Sequence, residues 1–461
     1  MLPDVRTSEP RLLSRLLAPI TEVRPGEATT GLLLSLNVFL LLTAYYLIKP
    51  AREALILASA GAESKSYLSA AIAVALLFAV PAYARLFDRW RRIVLLLVVT
   101  LSFAVQLVLF FAASFIDSVR PYLGYIFYVW VGIFNMMIVA QFFSFAADLY
   151  SEDQGKRLLP LVVLGSAVGA VTGSAVAGIL IEWLHVFPML LVAALLLSLC
   201  ALLFWVVDRR QPDRGERNPA LAAARRTERH GAFQLVFSQR YLLLVAGFAL
   251  VFSCVNTNGE YILSKLVVGS SEGMTGKARE DYIGGYYANF FFYVNTATLL
   301  LQSLLVSRLV RWFGFGPTFL FLPVLAFVNA GMISVVPALG VVLIAKVAEN
   351  SVDYSLNNSL RQILWLVTSR EMKYKAKQAV DTFFVRMGDV LSAGFVGLSV
   401  WLLSGSVRAF VALNAGLALV WAVLALLIGR DYARRRRARG EAGAEPAAAS
   451  DASPGPAEGK A

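Results

Sequence analysis

Thr30–Glu53 reads TGLLLSLNVFLLLTAYYLIKPARE, nineteen residues without a charge and then a lysine, an arginine and a glutamate within five positions. At about 1.5 Å per helical residue the uncharged part is roughly as long as a bilayer core is thick. It predicts a spanning helix whose last turns carry the charges. Comparable runs begin near Thr30, Ser66, Ile93, Tyr122, Leu158, Pro188, Tyr241, Tyr282, Pro317, Ala338, Gln378 and Val407, which predicts twelve such helices. The whole chain agrees, since 58% of its 461 residues are hydrophobic and only 16% charged, far from the proportions of a soluble core. The runs are unbroken and do not alternate with period two, which excludes a β-barrel. The expected fold is an all-α membrane protein.

Basic residues set the orientation, because loops rich in Lys and Arg stay cytoplasmic. Of 42 Lys and Arg, 31 fall in the leader, the loops after even-numbered helices and the tail. Only Lys65, Arg120, Lys277, Arg279 and Arg408 fall opposite, and six lie within spans. Both termini are therefore expected in the cytoplasm, in a multi-pass protein of the cell (inner) membrane. The net charge of +12 follows from topology and needs no nucleic acid partner. The organisation reads as a leader (1–29), a six-helix bundle (30–207), a basic linker (208–240), a second six-helix bundle (241–429) and a tail (430–461) expected to be disordered. Arg434–Arg437 reads first as a topology signal, with anionic headgroups as a second use. Two echoes support duplicated halves. RLFDRW at Arg85–Trp90 resembles RLVRW at Arg308–Trp312, and Lys156, Gly169 and Gly178 match Lys375, Gly388 and Gly397 at a fixed offset of 219 residues.

Little supports enzymatic chemistry. The only histidines are His185 and His230, and Cys200 and Cys254 both lie in apolar runs, so neither a metal site nor a disulfide framework is expected. Ser271–Ala278, SEGMTGKA, lacks the first glycine and the final Ser/Thr of a P-loop, and no HExxH or GxSxG occurs. No cofactor is expected.

The informative residues are charges at membrane depth, which cost about 2.5–3.5 kcal/mol each on insertion scales and normally face a cavity or a partner. Lys49 and Arg52 end the first helix. Asn256, Asn258, Glu260 and Lys265 lie on the seventh. Lys346, Glu349, Asn350 and Asp353 form an i, i+3, i+4, i+7 stripe on the tenth, continued by Arg361. Asp381, Arg386 and Asp389 lie on the eleventh, and Asp148 ends the fourth. These predict either a hydrophilic passage between two bundles or local ion pairs, Lys49 with Glu53 and Lys346 with Glu349 and Asp353. Gly165, Gly169 and Gly173 predict close helix packing.

This pattern resembles the major facilitator fold, in which helices 1, 4, 7 and 10 line the cavity, and Arg85, Asp88 and Arg89 resemble its gating loop between helices 2 and 3. Four segments are also similar to the ATP/ADP translocase family of plastids and intracellular bacteria. They are YYLIKPAREAL at Tyr45–Leu55; FAAD at Phe145–Asp148 running to KRLLP at Lys156–Pro160; NTNGE at Asn256–Glu260 with Lys265; and YSL at Tyr354–Leu356 running to KAKQAVD at Lys375–Asp381 and RMG at Arg386–Gly388. The resemblance implies alternating-access exchange of a nucleotide or related phosphorylated anion. Together with the charges at membrane depth it points to Lys49, Arg52, Glu260, Lys265, Lys346 and Arg361 as substrate-binding, and to Asp148, Asn256, Asn258, Glu349, Asn350, Asp353, Asp381, Arg386 and Asp389 as coupling or cavity-wall residues. Asp389 stands where that family has a lysine. A proton-coupled carrier of another solute is the alternative. The expected partners are an anionic small molecule and the bilayer, with the chain acting as a monomer.

Overall fold

The computed structural model describes residues 27–150, 152–210, 232–369, 372–403 and 406–450. Residues 1–26 of the leader and 211–231 of the linker lie outside the described residues. All described elements are helical, as lipid demands of a chain that cannot leave backbone groups unpaired. The first half comprises α1 (Ala28–Arg89), α2 (Arg92–Ala113), α3 (Arg120–Leu149), α4 (Glu152–Leu184) and α5 (Val186–Arg210). The second comprises α6 (Ala232–Ser238), α7 (Arg240–Ser270), α8 (Gly276–Leu304), α9 (Val306–Phe313), α10 (Phe315–Phe319), α11 (Phe321–Val335), α12 (Leu339–Val352), α13 (Asn358–Ile363), α14 (Lys377–Ala379), α15 (Val385–Leu403) and α16 (Val407–Ser450).

Nine described helical segments are long and apolar enough to cross a membrane, α10 with α11 and α14 with α15 each counting as one, and α8 with α9, bent by 51°, makes a tenth. Two features reconcile this with twelve crossings. The first two predicted spans are both in α1, parting at Gly61, whose φ of 77° favours glycine. The tenth runs from α12 through a π turn (Asp353–Asn357), α13 and a 3-10 turn (Leu364–Val367). Its polar stripe and broken hydrogen-bond register keep it from being one apolar helix. Two more π turns, Met372–Ala376 and Val380–Phe384, interrupt the eleventh span. An even number of crossings puts the first and last described residues on one side, called the terminus end below.

The tail from 430 onward was expected to be disordered; its described part continues α16 as helix to Ser450, and residues 451–461 lie outside the described residues. One expectation is corrected. Lys65 was expected in a loop. It lies instead in helix just past Gly61 and is only 5% exposed. The Gly61 kink is followed at once by helix, so no solvent-facing loop exists to hold it.

The outward surface is apolar: Val94, Val98, Leu101, Val105 and Leu109 form an exposed stripe on α2. In water this would be an aggregation hazard, but against lipid it is the proper solvent face. Inside, glycine governs how the helices cross. A Cβ on Gly169 of α4 would strike the Phe39 carbonyl oxygen of α1, and one on Gly388 of α15 would strike the Leu250 carbonyl oxygen of α7. Their companions repeat the relation across the halves. Gly178 of α4 faces Ala288 of α8, and Gly397 of α15 faces Tyr67 of α1. The 219-residue sequence echo therefore marks equivalent helix crossings. Gly169→Val is expected to destabilise the protein by about 1–3 kcal/mol or more, since the obstacle is backbone and cannot swing away. A thermal unfolding midpoint equal to the parent's would refute that reading.

The halves meet unequally along their length. Away from the terminus end one apolar core is shared, running from Leu47 and Phe127 to Tyr261, Tyr287 and Phe410. At the terminus end the second half has its own core, around Tyr241, Trp365 and Trp421. Ion pairs follow the same division. Arg120–Glu280 (3.4 Å), His185–Asp281 (2.6 Å) and Lys265–Glu63 (3.2 Å) join the halves at the far end. At the terminus end, Arg92–Asp148 and Arg361–Asp381 (both 2.9 Å) each stay within one half.

Candidate functional site

Between the halves lies a cavity of about 160 Å³. Lys49, Arg52, Lys65 and Tyr128 line it from the first half, and Asn256, Glu260, Phe291, Asn350 and Tyr354 from the second. The first, fourth, seventh and tenth spans all contribute, joined by the second and the eighth.

Lys49 is placed unlike any other cation in this cluster. Its ammonium lies 4.1 Å from the ring centre of Phe291, 5.3 Å from Tyr46, 5.8 Å from Tyr354 and 5.9 Å from Tyr45. Ring faces attract a cation but accept none of its hydrogen bonds in the ordinary sense. Among the described residues Lys49 has no ion pair. The expected pairing with Glu53 does not form, because Glu53, four residues on and 1% exposed, is engaged by Arg52 and by Lys65 at 2.8 Å. Arg52 also lies over the Tyr128 ring, at 4.9 Å.

From Glu53 a ladder of charges crosses to the second half. Lys65 donates to Ser264 Oγ at 2.8 Å and stands 3.8 Å from Glu260. Glu260 accepts from Asn350 at 3.2 Å and stands 3.9 Å from Lys346. Lys346 donates to Asn256 at 3.1 Å and to Glu349 at 3.3 Å, and Glu349 accepts from Asn329 at 2.9 Å. Gly259 makes room for this arrangement, since a Cβ there would lie 2.9 Å from the Lys346 ammonium. Lys49, Arg52, Lys65 and Lys346 thus face Glu53, Glu260 and Glu349, leaving one positive charge in excess among the described residues. An anion of small size meets three unspent N–H donors on Lys49, with further cations beside it.

The structure separates the other predicted residues. Lys265 joins Glu63 and the Tyr261 hydroxyl at the far end. Asn258 is a buried tie, donating to Asn414 at 3.2 Å and accepting from Ser392 at 2.7 Å. Asp389 pairs with Arg386 at 3.1 Å and accepts from Ser253 and Thr257, both at 2.8 Å, so it sits one side chain behind the cavity wall. Asp353 accepts from Asn357 at 2.7 Å. Arg361 with Asp381, and Asp148 with Arg92, lie toward the terminus end. Arg85, Asp88 and Arg89 fall in the last helical turns of α1, and their side chains lie outside the described residues. Sequence reading missed Lys65, Glu63 and the aromatic box. The signal for Lys65 was the shortness of the link after Gly61, too few residues to carry a charge out to water.

The model of the Major Facilitator Superfamily matches residues 34–362. A bacterial homolog to the human lysosomal transporter Spinster, inward-facing and unoccupied, shares 15% identity over 90% of this chain and 99% of its own, with a TM-score of 0.60. The nucleoside transporter NupG shares 11% over 87% and 98%, TM-score 0.61. A bacterial homologue of the iron transporter ferroportin, inward-facing, shares 12% over 87% and 98%, TM-score 0.62. No curated protein sequence matches the chain. Identities this low speak for fold alone, but the sequence match covers most of the chain. With a family match over residues 34–362, the protein belongs to the Major Facilitator Superfamily.

Proposed function

We propose that this transporter carries a small anion, a nucleotide or related phosphorylated compound, by alternating access between its two halves. The observation that supports it most is the Lys49 ammonium, held by four rings with no carboxylate partner, which is the one positive charge that the cluster around the cavity leaves in excess. A phosphoryl group supplies the acceptors that the rings lack, and charge-assisted bonds to it are among the strongest available. The fold does not choose the substrate, since structures sharing it include a nucleoside transporter, a homologue of an iron transporter and a transporter in complex with a conjugated peptide. The similarity of the Tyr45–Leu55 and Asn256–Glu260 segments to nucleotide translocases, together with the cavity charge, favours the phosphorylated anion. With the Lys- and Arg-rich end cytoplasmic in the inner membrane, the cavity is closed outward by the Lys65, Lys265, Arg120 and His185 contacts. A single chain suffices for this cycle.

Proteoliposomes preloaded with ADP and offered labelled ATP are expected to take up label above empty vesicles. Absence of uptake for ATP, ADP and nucleoside monophosphates alike removes the nucleotide reading. One observation favours the runner-up, a proton-coupled carrier: among the described residues Asp353 has an amide partner, Asn357, but no cation within ion-pair distance. Uptake that follows an imposed pH gradient and ignores internal nucleotide supports that alternative.

A further inference from the structure

At the terminus end, separate from the central cavity, a groove of about 560 Å³ lies between α10 and the Gly429–Arg437 turns of α16. Gly314, Gly316 and Gly429 leave its walls without side chains, and Phe315 stacks on Tyr432 with ring centres 4.1 Å apart. Arg436 and Arg437 form its charged edge. The four consecutive arginines do not share one environment, because neighbours on a helix point about 100° apart. Arg434 reaches Asp431 at 3.9 Å, and Arg435 lies over the Tyr241 ring at 4.6 Å. Arg436 and Arg437 make no ion pair among the described residues. Topology alone requires positive charge on this side but no groove beside it.

We propose that this groove binds the phosphodiester headgroup of an anionic phospholipid from the surrounding bilayer, with Arg436 and Arg437 on the phosphate oxygens. Guanidinium groups suit phosphate because they offer paired N–H donors in one plane. Position selects a lipid over a soluble anion. The groove begins where the apolar run of α16 ends, since Ile428 is followed by Gly429, Arg430 and Asp431. From it, exposed Phe321, Val324 and Val328 of α11 and Leu426, Val423 and Leu419 of α16 lead into the membrane as a path for acyl chains. Beside it Trp312 and Phe313 at the end of α9 are exposed, as aromatic side chains are at headgroup depth.

The full chain in detergent, titrated with phosphatidylglycerol or phosphatidylcholine and read by native mass spectrometry, tests this. Phosphatidylglycerol is expected to bind at least fivefold tighter than phosphatidylcholine. R436Q/R437Q should abolish the difference, while R434Q/R435Q keeps it. Gly316→Leu changes no charge, and the first carbon it adds meets nothing within 4 Å, so with an unfolding midpoint equal to the parent's it should still lose the preference by filling the groove. Equal losses in the two arginine pairs would mean diffuse attraction to a basic tail and would overturn the site. So would unaltered phosphatidylglycerol binding by Gly316→Leu, or displacement of the lipid by millimolar inorganic phosphate.

Discussion

Glu53→Gln is expected to destabilise the folded transporter by about 3–5 kcal/mol, the usual cost of orphaning a buried charge. Glu53 is 1% exposed and is the acid for both Arg52 and Lys65. An amide leaves both cations in a low-dielectric interior with only Glu260, 3.8 Å from Lys65, as partial compensation. The effect is local to a network, so it should be non-additive. In Glu53→Gln combined with Lys65→Met one of the stranded cations is gone, and part of the stability should return. Thermal or denaturant unfolding of the purified protein measures both. A single variant as stable as the parent, or a double variant showing the simple sum of two losses, would contradict this account of the ladder.

Lys49→Gln should do the reverse, leaving stability nearly intact and damaging recognition. No carboxylate is orphaned when this cation is removed, because its neighbours are rings. A charged hydrogen bond to a bound anion contributes about 1.5–3 kcal/mol, so affinity should fall roughly 10- to 150-fold. Lys49→Arg should not restore it fully, since a planar guanidinium does not fit a box shaped around a compact ammonium. The readout is the concentration dependence of uptake in proteoliposomes for whichever solute supports transport, alongside the unfolding midpoint. If Lys49→Gln transports with unchanged KM, the substrate is held elsewhere. The two variants together separate binding from architecture, because Glu53 and Lys49 are one helical turn apart yet serve different partners.

The sequence made some of this legible because hydrophobic length and charge sign act locally. Unbroken apolar runs specify spanning helices whatever surrounds them, and Gly169 with Gly388 revealed the duplicated halves because close helix approach tolerates nothing larger. The ionisable residues Lys49, Arg52, Glu260 and Lys346 also stood out, since charge at membrane depth is too costly to be incidental. Pairing was not legible in the same way. Helical spacing put Lys49 beside Glu53, but spacing says only which side chains share a face of one helix. Lys65 from beyond the Gly61 kink reached Glu53 first, and four rings from the first, eighth and tenth spans enclosed Lys49 instead.

What the chain determined by itself was the number of crossings, the duplicated plan and the presence of charges that need a shared polar interior. The tertiary structure alone decided which of those charges neutralise one another and which is left facing the cavity. Ion pairing falls off over a few ångströms, and the approaches that decide it here depend on the Gly61 kink and on helices from both halves meeting around Glu260 and Lys49.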